Sequence, residues 1–557
     1  MRCNRRITRR AALRGAAVAG AASLVRPAIG LGANSRSPVF SRALGSLAGE
    51  SAMIPAPRQF ALLGVEWSGA VRAQIELRTR RSDRGAWSAW TGASVLGHGP
   101  DRVVSRSTHF GEPIWTGPAD YVQLRSSSPV RGVRLHFVAA GAGGVGASSG
   151  GAAHAAQAFP LAQPVLDAGP GQPAIIARSA WAQGHAPPSN GPFYGTVKLA
   201  FVHHSESPNG YGAGEVPSIL MSIFIYHRYV RGYFDIAYNF AVDAYGRIWE
   251  ARAGGVDLPV IGAHAGGYNQ ESTGMVVLGS FMDVIPPPAA IGALEHLLAW
   301  KLSLHGVPTL GRVAVEVSPG DAFYTPFAPG AHVSLPRVAG HRDGDQTSCP
   351  GNAFYARLPS IRPQVARLTG SPARLTMSAS DATVGAGAPV TVSGRLADLS
   401  SGSPLAGEPI ELQEITRGAE QTIATPTTAP DGSWSATFTP AGNVLIRALH
   451  RPAPAAASNV VALAVAPALT LALVGPAPPV EVTGTVSPPL PNVTLDLYRV
   501  VGGRRHLMRA KRVPAGDGEF AARFRPGRPG RYVVIARTVA SGRFIAGASP
   551  AVGLTIP

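Results

Sequence analysis

The strongest chemical signal in this chain is the twelve-residue stretch Gly340-His341-Arg342-Asp343-Gly344-Asp345-Gln346-Thr347-Ser348-Cys349-Pro350-Gly351. It sets a histidine and a cysteine eight residues apart across a turn-prone Asp/Gly segment, so an imidazole nitrogen and a thiolate can converge on one ion. Cys349 is one of two cysteines, and the other, Cys3, falls in a stretch expected to be removed. A single remaining cysteine cannot close an internal disulfide, which leaves a buried thiol, a nucleophile or a metal ligand. A catalytic zinc takes three protein ligands and keeps a fourth position open, so a third ligand must come from elsewhere. His203-His204 follows the apolar Leu199-Ala200-Phe201-Val202 and sits at a strand end, where neighbours point to opposite faces and only one can face a metal. His264, in Gly262-Ala263-His264-Ala265-Gly266-Gly267, is a further candidate. Spacing alone leaves His203, His204 and His264 open.

Strands and helices interleave around these residues. Ser218 is placed to cap a helix carrying Ile219, Ile223, Tyr226 and Val230 on one face, and Ile291, Leu294, Leu298 and Leu302 mark a second, ended by Gly306. Between them lie the alternating segment Asp235 to Val242, a turn at Asp243-Ala244-Tyr245-Gly246, and the apolar run Met275-Val276-Val277-Leu278. That order predicts an α/β domain over 161–369, a mixed sheet flanked by helices.

The rest of the 557 residues is too long for one core and reads as further domains. Charged residues make up 15% while Gly (66) and Pro (50) are abundant, a balance of short strands and turns. From 56 to 138, runs such as Ala73-Gln74-Ile75-Glu76-Leu77-Arg78 alternate, with Trp67, Trp87, Trp90 and Trp115 among them, predicting a small β-sandwich-like domain. Its tryptophans read as core more readily than as a sugar platform. The Ala, Gly and Ser of 139–160 cannot bury enough apolar surface to order themselves and read as a linker. Past 370 there is an internal repeat: Pro389-Val390-Thr391-Val392-Ser393-Gly394 returns as Pro479-Val480-Glu481-Val482-Thr483-Gly484. Asp431-Gly432 likewise returns as Asp517-Gly518, each followed by Phe and Pro. Two immunoglobulin-like β-sandwiches, 371–466 and 467–557, are expected as spacers or wall-binding modules.

Residues 1–33 hold seven arginines and no acid, followed by an apolar stretch from Gly15 to Val25 that is too short to span a bilayer. Within it Thr8-Arg9-Arg10-Ala11-Ala12-Leu13-Arg14 resembles a twin-arginine export signal, so a secreted or wall-associated location is expected, without stable membrane insertion. Loss of this segment lowers the net charge from +18 to +11. The remaining excess suits an anionic polymer, while the lack of a Lys/Arg run with interleaved aromatics argues against nucleic acid. Nothing in the sequence fixes the oligomeric state; a monomer is the expectation.

Six stretches occur in the order seen in peptidoglycan recognition proteins, a family that shares its fold with the type 2 N-acetylmuramoyl-L-alanine amidases. They are Arg178-Ser179-Ala180-Trp181, Phe201-Val202-His203-His204-Ser205, Asp235 to Phe240, Gly246-Arg247-Ile248-Trp249-Glu250, Gly262 to Asn269, and His341 to Gly351. The resemblance covers roughly residues 173–365 and implies that zinc is bound by His203, His341 and Cys349. It further implies that Tyr238 and Thr347 assist catalysis, that His264 and Asn269, with His204 beside them, contact muropeptide, and that the bond cut joins the lactyl group of N-acetylmuramic acid to L-Ala. Non-catalytic receptors of the family typically lack the cysteine, which this chain keeps. Two other readings are a peptidoglycan-binding receptor that does not cut, and a structural zinc site, which would show four protein ligands.

Overall fold

The computed structural model describes residues 37–69, 73–93, 95, 108–141, 171–416, 419–475 and 479–557. The expected export signal at 1–33, nearly all of the 139–160 linker and the opening of the α/β domain at 161–170 lie outside the described residues.

Short apolar runs form the central sheet: β1 (Ile175–Ile176), β2 (Leu199–His204), β3 (Phe240–Val242), β4 (Ile248–Glu250), β5 (Ser272–Val277) and β6 (Val338–Gly340). They lie in the order β6-β2-β5-β3-β4-β1. Strands β6, β2, β5 and β3 run parallel, and β4 turns back antiparallel to β3. Every residue of β2 and β5 is buried, as suits strands of a sheet covered on both faces. On one face, Ala200, Val202 and Val277 pack with Leu294 and Leu298 of α2 (Pro288–Leu304) and Phe354 and Leu358 of α3 (Asn352–Thr369). On the other, Ala241 and Val276 pack with Leu220 and Phe224 of α1 (Val216–Ile225), and Leu199 and Phe201 pack under a hairpin formed by Arg312–Glu316 and His332–Pro336.

Two local expectations are corrected. Ser218 does not cap α1; the helix starts at Val216 with Pro217 in its first turn, where proline's fixed φ and missing N–H suit a helix start. Of Asp235 to Val242 only Phe240–Val242 pairs as strand. The Asp235 carboxylate instead accepts hydrogen bonds from the Ile236 N–H (2.7 Å), the Ala253 N–H (2.9 Å) and Arg178 (2.7 Å), which fixes a bend ahead of the strand.

The N-terminal region folds into one six-stranded sheet dominated by Ile54–Ser68 and Ile114–Ala139, with Phe60, Val65, Leu124 and Leu135 in its core. The sheet begins at Val39, ahead of the expected start at 56, because the mostly exposed strand Val39–Glu50 pairs with Ile114–Ala139. Its tryptophans divide. Trp67 is core. Trp87 and Trp90 are half-buried and stacked by Arg78, Arg80 and Arg125. Trp115 packs against α1 of the central domain.

Beyond residue 370 the repeat is structural. Strands Val390–Asp398 and Val480–Ser487 each pair antiparallel with the strand that follows an Asp-Gly turn, Ser433–Phe438 and Glu519–Phe524. Each copy has two sheets sharing a core, Val392 and Trp434 with Leu412 and Ile446 in one, Val482 and Phe520 with Leu495 and Val534 in the other. The first copy is joined to the central domain. Leu449 and Ala457 enter the core that contains Trp300, and the buried Arg447 reaches Asp257 (2.7 Å) and Glu420 (3.2 Å).

Candidate metal centre and its surroundings

Alternation along β2 decides which histidine of the pair goes where. Ala200, Val202 and His204 face the long helices, and Leu199, Phe201 and His203 face the opposite side. His203 thus ends β2, and His341 follows directly on β6, the strand hydrogen-bonded beside it. The next turn carries Cys349 back, its N–H donating to the Thr347 hydroxyl (3.2 Å). One ligating atom from each of His203, His341 and Cys349 lies within 4.8 Å of the other two, and all three side chains are 0% exposed. The Cys349 sulfur is 3.7 Å from His203 Nδ1.

Two imidazoles and a thiolate form a donor set suited to zinc, and among the described residues the group numbers three. Asp345, which the sequence reading missed, orients one of them. Its Oδ2 lies 3.1 Å from His341 Nε2 and accepts the Gly266 N–H at 2.8 Å, the carboxylate–histidine pairing that orients metal ligands. Its spacing, four residues beyond the histidine, was the available signal. Burial, and after it the Glu112 carboxyl, push the Cys349 thiol well above its usual range.

The remaining expected site residues fall into three places. Tyr238 is buried beside the centre, its ring 5.4 Å from that of His203, and burial holds its hydroxyl protonated far above neutrality. His264 Nδ1 lies 3.2 Å from His203 Nε2, and Asn269 turns inward, its Oδ1 accepting the N–H groups of His264 (2.8 Å) and Ala265 (3.0 Å). His204 points away, its Nδ1 accepting the Phe281 N–H (3.3 Å) and its Nε2 lying 3.5 Å from Glu206. Thr347 donates to the carbonyl of Val95 in the N-terminal domain (3.1 Å).

A residue outside the expected set completes the surroundings. Glu112, in the short link between strands His109–Phe110 and Ile114–Ala139 of the N-terminal domain, is 0% exposed. Burial first, then Glu206, push its carboxyl well up, with Arg231 opposing, and its field reaches both Tyr238 and Cys349.

Residues 193–352 match the family described as N-acetylmuramoyl-L-alanine amidase. Residues 32–158 match the family described as Rv3811 N-terminal galactose-binding domain-like. The central domain is therefore of the amidase and peptidoglycan-recognition protein class, behind a galactose-binding-like domain. The chain is 27% identical over 187 residues to peptidoglycan-recognition protein LB of Drosophila melanogaster, covering 33% of this chain and 68% of that protein. It is also 27% identical over 208 residues to N-acetylmuramoyl-L-alanine amidase of Homo sapiens, covering 37% of this chain and 31% of that protein. A solved structure of wild-type Drosophila PGRP-LB aligns at 25% identity with a TM-score of 0.26, covering 33% of this chain and 92% of that one. Among the described residues no helix is long and apolar enough to cross a membrane.

Proposed function

We propose that this chain is a zinc-dependent amidase that cuts the bond between the lactyl group of N-acetylmuramic acid and the L-Ala of the peptidoglycan stem peptide. The observation that carries the reading is the convergence of two imidazoles and one thiol within 4.8 Å, beside a buried tyrosine, in a domain of the amidase class. His203, His341 and Cys349 would hold the ion, with Asp345 fixing the His341 ring. A bound zinc would act as a Lewis acid on the amide carbonyl and make a water acidic enough to attack at neutral pH. Tyr238 remains protonated and so is a hydrogen-bond donor for the oxygen on which charge develops, a role also assigned to Thr347. His264, which borders His203, and Asn269, which accepts the His264 N–H, are read as the residues that meet the muropeptide; His204, on the other face of β2, is left a supporting place. The two C-terminal β domains are read as immunoglobulin-like modules and the first residues as a twin-arginine signal that delivers the protein to the wall.

Mass spectrometry of purified peptidoglycan after incubation with the mature protein tests the reading. Free stem peptides beginning in L-Ala, absent when a chelator is added and restored by zinc, are the expected result. Intact glycopeptides at every zinc concentration, with binding retained, would assign the receptor reading instead.

A further inference from the structure

The contact between the N-terminal domain and the central domain falls on the metal side of the sheet. Ser207, four residues past His203, accepts the N–H of Trp115 at 3.1 Å, and the Trp115 ring enters the core formed by α1. The Arg231 guanidinium stacks 3.7 Å over the Phe110 ring. All five residues from Gly111 to Trp115 are buried. In β-strand Ile54–Ser68, Gly64 passes so close to the buried Tyr226 that a Cβ there would lie 2.2 Å from the tyrosine oxygen. The hydroxyl of Thr347, the residue assigned to the developing oxyanion, is spent on the carbonyl of Val95. With His203, His341, Cys349 and Glu112 all 0% exposed, a glycan-linked peptide has no way to the ligands in this arrangement.

We infer that the N-terminal galactose-binding-like domain is a built-in cap that holds the metal centre shut, packing Phe110 and Trp115 against Arg231 and Ser207 and occupying Thr347, so that hydrolysis requires the cap to move. The inference rests on the amidase reading for its consequence but not for its geometry. A cap of this kind confines the activity of a wall-cutting enzyme to conditions that prise the two domains apart.

The test opens the contact by two opposite means in the full chain, with Cys3→Ser removing the second thiol. Gly64→Val inserts a wedge against Tyr226, and Phe110→Ala removes the platform under Arg231; neither residue belongs to the metal centre. Alkylation of Cys349 by iodoacetamide in chelator-treated protein reports exposure independently of catalysis, and release of stem peptide from a soluble muramyl peptide by the zinc-loaded protein reports its consequence. Near-ultraviolet circular dichroism selects variants that remain folded. At least a 10-fold rise in both alkylation and hydrolysis, in both variants, is the expected result. Cys349 in the parent chain alkylating as fast as in the variants would overturn the cap, as would opened variants that lose the hydrolysis the parent shows. Faster alkylation without hydrolysis in any form would leave the cap standing and refute the amidase reading.

Discussion

Two buried groups of ionisable side chains involve the central domain, one at its seam with the first C-terminal β copy and one at the metal centre, and they are built on opposite rules. Behind the sheet, Arg447 meets Asp257 at 2.7 Å, Glu420 at 3.2 Å and Gln413 at 2.9 Å, while Lys301 donates to the carbonyls of Val256 (2.7 Å) and Leu258 (2.8 Å). Burial pushes the Asp257 carboxyl up, and the Arg447 guanidinium reverses this, holding it below its usual range. Arg447 meets two carboxylates there, while Lys301 meets carbonyl oxygens and burial pulls its pKa down to about 7. At the ends of β2 and β6, three donors of electron pairs point at one another, an arrangement that gains little from mutual contact and much from an ion between them. Burial marks both groups; the direction of their lone pairs separates a fastening from a site.

Substitutions in the two groups move function and stability in opposite proportions. The largest effect belongs to the metal side: Cys349→Ser or His203→Ala lowers muropeptide hydrolysis by about 10³-fold or more, on the order of 4 kcal/mol. Elemental analysis then shows the zinc lost, and full zinc occupancy in either variant would erase the distinction. Arg447→Met does the reverse. Leaving Asp257 and Glu420 without their shared cation costs about 3–5 kcal/mol of unfolding free energy by denaturant titration, with hydrolysis at permissive temperature changed less than about twofold. Tyr238→Phe removes one donor without touching a ligand, so kcat falls about 10²-fold at unchanged zinc content. An unchanged kcat would return Tyr238 to a packing role.

The smallest effect is read from pH. His227 is buried behind Tyr238, accepts the Ala237 N–H through Nδ1, and has its pKa lowered by burial first, and then by Arg231 and Arg252, to about 3. Its unfolded value is near 6.5, so the stability it contributes is fully present above about pH 6.5 and is lost as pH falls toward 3. Relative to His227→Asn, which keeps an acceptor without the titration, the parent chain loses on the order of 1 kcal/mol per pH unit below 6.5. Parallel pH profiles of the two proteins would remove His227 from the account.

Much of the site was legible because its signals are local. The His341 to Cys349 spacing, and the rule that only one of His203 and His204 can face a given side, follow from chain geometry. The choice of His203 over His204 needed the family resemblance, since nothing in Leu199 to Val202 says which face of β2 the long helices cover. The strand expected from Asp235 failed because its alternation is real but its carboxylate is spent on Ile236, Ala253 and Arg178. Glu112 was illegible: a glutamate in a Gly-Glu-Pro sequence looks like any exposed loop, yet it is fully buried, with Arg231 and Glu206 of the central domain acting on its carboxyl.

The order of these pieces along the chain governs how the protein comes into being. Ribosomes deliver the N-terminal end first, and domains tend to fold as they emerge. The surface carrying Phe110, Glu112 and Trp115 is complete before β2 is translated, and Cys349 is the last ligand to arrive. The cover is thus finished before the thing it covers, and each newly made molecule assembles its ligands against a partner already waiting.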